Sequence, residues 1–505
     1  MLKTLYFKEL GGYDNSDILN KLDNNENIFN KLLQSPIFVS DGENCKFQFV
    51  GIIIIEDFVI NCYPKYMPDN ITDEKMISDY FGQVLKVLRK YEKSKKEDFS
   101  YKRGDLDEES FNLVSLMLFF IEDYYENGVY TNIKNILEIN GDGEINWDKT
   151  INDTFPLIED DEPYYTELYT RYKLNNLYDY FRVLHECIIT ECSNFLEDAN
   201  LLDFFDLPPI ELSEKTLEDL GDKDFILNKI EKELKIEFNT HKQKLLNAMH
   251  SYISLKDVFT NEKFLICYGK KYYEHVWEEM CSKVFDNKLD EKLGELDLDI
   301  DFDEKYKPEV QLKALIEKPK WRSEGFTKKP DHTFIPDVIT FDGDNNFIIL
   351  DAKYYNLVFE KEEDLKGPGI EDIAKQYFYE IAFKGFLDKY KCSKDKESLK
   401  DNCKCINGKR NALLFPIHGS SVINKGYIEL KMLSSLGLEN IQVIMIPAEK
   451  MNSLYLSNGK MDISDLKLDK YYCPKCGIFN KIGKEYCVDC GEKLNKNEDS
   501  IKKVL

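Results

Sequence analysis

Asp337, Asp351 and Lys353 are the residues of this chain whose types and spacing most directly offer chemistry. They sit in FIPDVITFDGDNNFIILDAKYYN (334–356). Pro336-Asp337 opens one apolar run there, and after thirteen intervening residues Asp351-Ala352-Lys353 closes another, Phe347-Ile348-Ile349-Leu350. The segment between, Asp342-Gly343-Asp344-Asn345-Asn346, is rich in turn formers, so the stretch reads as a β-hairpin. Charge at the end of a buried strand is costly unless something completes it. A divalent cation would do so. Asp337 and Asp351 on adjacent strands can converge on one hard ion, Mg²⁺ or Mn²⁺, which takes one or two carboxylates plus water and phosphate oxygens. Asp351 and Lys353, two apart on a strand, point to one face. Lys353 can then touch an attacking water while Asp351 holds the ion, and the Ala352 carbonyl is free to be a further oxygen ligand. That donor set suits hydrolysis of a phosphodiester, where the ion activates water and offsets charge in the transition state. The plainer alternative is a surface hairpin that owns three unrelated charges.

The elements that would position these residues follow from the hydrophobic pattern. At 505 residues the chain should form two to four domains, and 32 Phe with 31 Tyr supply ample core. Residues 1–75 read as β-rich, with KFQFVGIIIIEDFVINCYPKY (46–66) giving two strands around Glu56-Asp57. Residues 76–250 read as mainly helical, one helix stopping at Asn127-Gly128. DFILNKIEKELKIEFNTHKQKLLNAM (224–249) has heptad-like spacing suited to a connecting helix or a stalk. Residues 251–455 read as an α/β core: a helical block over 255–285, the hairpin, a helix over 369–390, and strands at 410–417 and 441–448. Because that core lies beyond 250, it is expected to fold without the residues before about 245.

The net charge of −25 leaves few cations for phosphate contacts. It is unevenly spread. LDEKLGELDLDIDFDE (289–304) holds eight acids against one lysine, and reads as a solvated face. KPKWRSEGFTKK (318–329) holds five basic residues against one acid and ends shortly before Asp337, where a phosphate-facing role weighs as much as a solvated one. No apolar run approaches the ~20 residues that span a membrane, and the N-terminus shows no signal-peptide pattern. Thirteen cysteines, an odd number mostly in apolar settings, suit reduced thiols and a cytoplasmic protein. Four of them stand apart. CPKCGIFNKIGKEYCVDCG (473–491) places Cys473, Cys476, Cys487 and Cys490 as two Cys-x2-Cys pairs, each followed by glycine, which is the spacing of a tetrahedral Zn²⁺ site. A ribbon over 468–495 has too little core to fold without its metal.

The Asp337…Asp351-Ala352-Lys353 pattern resembles the motif of the PD-(D/E)XK nucleases. More closely, DHTFIPDVI and FIILDAKYYN resemble the LlaJI restriction endonucleases, which are related to the McrC subunit of McrBC systems. FVGIIIIEDFVINCYPKY and GEINWDKTI (143–151) resemble further stretches of that family. The resemblance implies a multidomain α/β protein with a β-rich N-terminal domain, a helical middle and a PD-(D/E)XK core, to which the zinc ribbon is an addition. It implies a glutamate on the helix before the motif, Glu278 or, one turn earlier, Glu274, and a polar residue on the helix after it, Gln376. It also implies a double-stranded DNA substrate and a separately encoded McrB-like AAA+ GTPase partner; this chain shows no G-x-x-x-x-G-K-[ST] of its own. The competing expectations are a non-catalytic DNA-binding or assembly scaffold, and a stand-alone repair nuclease.

Overall fold

The computed structural model describes residues 2–68, 74–95, 106–175, 179–260, 265–329, 333–357, 367–391, 404–468, 480 and 486–493. Strands β1 (Lys3–Lys8), β2 (Val50–Ile55) and β3 (Phe58–Tyr63) begin the first sheet. β2 and β3 form the hairpin expected around Glu56-Asp57, with Ile55 opposite Phe58, and β1 runs parallel to β3. Glu56 takes a left-handed conformation at the turn, φ 49°. Its carboxylate is held by Lys31 at 2.5 Å and Asn27 at 3.2 Å, which offsets that strain. Both strands are buried almost throughout, so they read as unbroken apolar runs rather than alternating ones.

Helices α1 (Glu74–Lys95), α2 (Leu106–Asn127), α3 (Tyr180–Asp198), α4 (Lys223–Leu234) and α5 (Thr240–Thr260) form the helical middle. α2 stops where the sequence says it should: Gly128, at φ 76°, donates its N–H to the Tyr124 carbonyl at 2.9 Å. The heptad-like run is not one helix. Glu237 accepts the N–H groups of Phe238 and Asn239, and Asn239 Oδ1 caps the Lys242 N–H at 3.1 Å, so α5 starts afresh and packs against α4.

The block over 255–285 also differs from expectation. Strand β4 (Ile266–Lys270) stands between α5 and α6 (Glu274–Val284) and pairs antiparallel with β2, giving the first sheet the order β1-β3-β2-β4. Gly269 faces Gly51 across that pairing, and the backbones approach so closely that a Cβ on Gly269 would lie 2.2 Å from the Val50 carbonyl oxygen. Residue 250 is therefore no seam. One apolar core runs from Val50 and Ile52 through Leu184 and Ile253 to Val338, Ile444 and Leu466.

Strands β5 (Val338–Phe341), β6 (Phe347–Ala352), β7 (Lys409–Ile417), β8 (Ile423–Ile428) and β9 (Ile441–Pro447) form a five-stranded sheet in the order β5-β6-β7-β9-β8. The outer pairs are antiparallel, and β6, β7 and β9 run parallel. Alternation along β6 separates two layers. Ile348 and Leu350 share a core with Trp277 of α6, whereas Phe347 and Ile349 share one with Phe383 of α7 (Ile370–Tyr390). The acidic run of 289–304 is a solvated face, as read: Leu293, Leu296 and Ile300 turn into the α7 core while Asp297 pairs with Lys404 at 2.5 Å. Helix α8 (Ala448–Leu456) packs on α1, and Lys90 of α1 caps the last turn of α8 by donating to the Tyr455 and Leu456 carbonyls. The fold is mixed α/β and multidomain. Among the described residues no helix is long and apolar enough to cross a membrane.

Gly269→Ala should lower stability by about 2–3 kcal/mol, because the β2–β4 pairing leaves no room for a methyl group. A shift in the urea midpoint checks this. An unchanged midpoint would place β4 outside the first sheet.

Candidate active site

The hairpin forms as its residue types dictate. Asp342 Oδ1 accepts the N–H groups of Asp344 and Asn346 at 3.0 and 2.8 Å, Asn345 takes φ 57°, and Val338 comes to face Leu350 across the ladder. That register carries Asp337, just before β5, to the end of β6. Its Oδ2 accepts the Ala352 N–H at 2.7 Å. Asp351 is buried, and its charge is felt at Asp337 across the strand end. Like charges so placed disfavour ionising both groups together. Burial first, and then the charges of Asp351 and Glu278, push Asp337 up to about 8. Asp351 is raised as well by burial, with Lys353 pulling the other way.

Lys353 Nζ lies 2.6 Å from Asp351 Oδ2 and 3.5 Å from Asp372 Oδ1. Burial works against its charge, but Asp351, Asp372 and Asp337 more than offset it, so the lysine is held above its ordinary range. It is a fixed cation, suited to orienting a water or steadying negative charge, and not a base at neutral pH. Its position is set by the Leu414 carbonyl of β7, which accepts the Lys353 N–H at 2.8 Å and the Trp277 indole N–H at 3.3 Å. Trp277 thereby pins α6 to the same point.

Of the α6 glutamates, Glu278 is the one whose charge reaches Asp337. It is hydrogen-bonded to His275 at 3.2 Å. Glu279 is engaged elsewhere, with Lys95 at 2.6 Å and Ser94 at 2.9 Å. The field of Glu274 is felt at Glu9 and Tyr355. Gln376 departs from its expected place. It is fully enclosed, donates to Asn411 Oδ1 at 2.6 Å and to the Ala412 carbonyl at 3.2 Å, and so belongs to a polar network of α7 with β7 that also holds Glu380 and Lys409. A glutamine among aromatic residues serves an internal network as readily as a reaction site, and the pattern does not separate the two.

Three other groups at the site carried no clear signal in the sequence. Asp372 lies in the first turn of α7, where an acid is ordinary as a partner of the helix dipole, yet here it faces Lys353. Tyr379, buried on α7, feels Asp351, Asp337, Asp372 and Glu278; burial, then these charges, raise its phenol far above the usual range. Tyr354, next to Lys353, donates to Glu9 Oε2 at 2.5 Å. Lys65, from the Pro64-Lys65 stretch, stands 4.2 Å from the Tyr354 ring centre and donates its backbone N–H to Glu9. The first sheet thus reaches the residue beside the strand-end cation.

Among the described residues no group of three or more His, Cys, Asp or Glu side chains is gathered as a metal site. The strand end offers instead two carboxylates, and Mg²⁺ asks for no more than one or two. The donor set fits a loosely held Mg²⁺ or Mn²⁺, with Asp337 and Asp351 as the residues that would hold it. Of the expected zinc ligands, Cys473 and Cys476 lie outside the described residues. Cys487 and Cys490 stand in a tight turn: Gly491, at φ 65°, donates to the Cys487 carbonyl at 3.1 Å, and Cys487 donates to the Glu492 carbonyl at 2.7 Å.

The fold and this strand end describe a mixed α/β protein whose second sheet carries a carboxylate pair, one member buried and one half-buried, beside a lysine. Residues 49–298 and 300–448 match the model of the LlaJI restriction endonuclease family, and the chain belongs to that family. It is 28% identical over 433 residues to a protein of Bacillus subtilis strain 168 described as type II restriction enzyme BsuMI component YdjA, covering 83% of each chain. Among solved structures it is similar to a half-complex of Thermococcus gammatolerans McrB AAA+ hexamers with bound McrC, at a TM-score of 0.36 and 12% identity, over 90% of this chain and 99% of that one.

The carboxylate pair gives a pH dependence of definite sign. An unfolded Asp337 loses its proton near the ordinary value of 3.8, a folded one at about 8. Between these values the folded chain binds more protons, so this group's effect is to lower stability as pH rises through that window. In chelator, Asp337→Asn should therefore stabilise the protein more at pH 8 than at pH 5, by about 2–4 kcal/mol. Melting curves at the two pH values check it, and an equal effect at both would remove the strained pair.

Proposed function

We propose that this chain is the Mg²⁺-dependent DNA endonuclease subunit of an McrBC-like restriction system serving anti-phage defence. It hydrolyses phosphodiesters of double-stranded DNA through a PD-(D/E)XK core, and works with a separately encoded AAA+ GTPase of the McrB kind. The observation that carries this reading is the Asp337–Asp351 carboxylate pair beside the fixed Lys353 cation, in a chain of a restriction endonuclease family. A bound Mg²⁺ would supply water activation and neutralise charge on the phosphate. Asp337 and Asp351 would hold it, with the Ala352 carbonyl as a further oxygen donor. Glu278 adds a carboxylate from α6. Lys353, kept protonated by Asp351 and Asp372, faces the scissile phosphate, orients the water and offsets negative charge as the P–O bond breaks. Gln376 acts at one remove, by fixing α7 on β7.

A chain with a net charge of −25 is poorly suited to grip DNA unaided. This favours a partner that brings the substrate, and the B. subtilis relative is itself described as a component of a restriction enzyme. The four cysteines at 473–490 are proposed to hold one structural Zn²⁺, for which the Cys487–Gly491 turn has a suitable backbone.

Asp351→Ala and Lys353→Ala should each lower Mg²⁺-dependent cleavage by about 10²-fold or more, since metal and charge stabilisation supply several kcal/mol. The assay is plasmid cleavage with the AAA+ protein present, and Glu278→Ala should cost less. Full cleavage by Asp351→Ala would refute the site.

Elemental analysis of natively purified, reduced protein should find one Zn²⁺ per chain after dialysis against EDTA, and none in Cys490→Ser. Cleavage should still need added Mg²⁺. A zinc-free wild type would refute the ribbon.

A further inference from the structure

The basic run that precedes the active-site hairpin remains without a role. Residues Trp321–Ser323 and Phe326–Lys328 form a two-stranded antiparallel ribbon, joined at Glu324-Gly325 with Gly325 at φ 88°. Trp321 pairs with Lys328 and Ser323 with Phe326. Directly opposed residues share a face, so Trp321, Phe326 and Lys328 lie on one side and Arg322 on the other. Every residue of both strands is exposed, Trp321 at 69% and Phe326 at 62%. A hairpin with neither face packed gains little from its own burial. Large aromatic side chains left in water beside cations are better explained by something that covers them.

The surroundings point to a polyanion. A cavity of about 550 Å³ opens at the ribbon's base, lined by Lys313, Lys318, Lys320 and Lys329 with one acid, Glu317. Lys313 is already paired with Asp290 at 2.5 Å; among the described residues the other three show no ion pair. The cavity wall ends at Ile335, two residues before Asp337. At the same mouth Phe334 stacks on Phe378 of α7, with ring centres 6.3 Å apart and planes within 11°, and both rings are more than half exposed. Tyr379, the next residue of α7, faces the carboxylates. Cations, an exposed aromatic pair and the strand end thus lie on neighbouring stretches of the chain.

We propose that the ribbon and its lysine-lined cavity are the part of this chain that grips duplex DNA beside the scissile phosphate. Lys320, Arg322, Lys328 and Lys329 contact backbone phosphates, and Trp321 and Phe326 enter a groove. This rests on the nuclease reading and adds where the substrate lies. A two-stranded ribbon has the width to enter the major groove, and phosphate contacts are what a strongly acidic chain must concentrate in one place.

The test is binding of the full chain to a 40-base-pair duplex in EDTA, where no cleavage occurs, followed by fluorescence anisotropy from 50 to 200 mM salt. Each phosphate contact adds about 0.9 to the slope of log affinity against log salt. Changing Lys320, Arg322, Lys328 and Lys329 together to Gln should flatten that slope by about 3 to 4, so the wild type loses about 10²-fold more affinity than the variant over this range. Trp321→Ala should weaken binding about tenfold, the scale of one lost aromatic contact, and leave the slope unchanged. An unchanged slope in the fourfold variant overturns the proposal, as does a wild type that binds no duplex at 50 mM salt. These outcomes are separate from the catalytic assignment, which Asp351→Ala tests through cleavage.

Discussion

The repulsion between the half-buried Asp337 and the buried Asp351 is the constraint on which the rest of the second sheet depends. Left to itself, such a pair would drive the strand end toward water. Several independent contacts keep it in place. The β5–β6 register fixes the spacing, and the Ala352 N–H holds Asp337 from the backbone side. Lys353 neutralises the pair, and the Leu414 carbonyl secures both Lys353 and Trp277. None of these would be needed to stabilise a surface hairpin. Their convergence is what distinguishes a built site from three charges that happen to lie close in sequence.

The same geometry explains which parts were legible in the sequence. The hairpin was, because its turn chemistry and apolar runs are local, and so were the Glu56-Asp57 turn and the α2 stop at Gly128. Pairing at long range was not. Leu265-Ile266-Cys267-Tyr268, set between two helical patterns, carries nothing that says it must join β2, and the Gly51–Gly269 fit shows only when both strands are in place. Gln376 and Asp372 lie a turn apart on α7, and their roles are the reverse of what their types suggest. The amide is enclosed in a structural network while the first-turn acid faces the lysine, because the crossing of α7 over β6 and β7 decides which way each points.

Alternation along β6 assigns the site its two sides. Asp351 and Lys353 share parity with Phe347 and Ile349, so they emerge on the α7 layer, where Asp372 and Tyr379 lie. Glu278 approaches from α6, which packs on the opposite layer, and it reaches Asp337 because β5 is the outer strand of the sheet. Acidic groups thus surround the strand end from both layers, with Lys353 as the strand-end cation among them. Such a cluster of acids repels an anion until a cation changes the balance of charge.

Tyr354 ties this local electrostatics to the remainder of the chain. Its hydroxyl is bonded to Glu9, a buried carboxylate that burial raises above its ordinary value, and its ring packs near Tyr273, Tyr66 and the Lys65 ammonium. Glu9 follows β1 directly, and Lys65 follows β3. The first sheet cannot shift relative to the second without either breaking that bond, which strands a buried carboxylate, or carrying Tyr354 along. Carrying Tyr354 moves the backbone on which Lys353 stands. The packing that joins the two sheets through α1, α6 and α8 therefore does more than add core. It makes the position of the strand-end cation a property of the N-terminal half as much as of the strand that bears it.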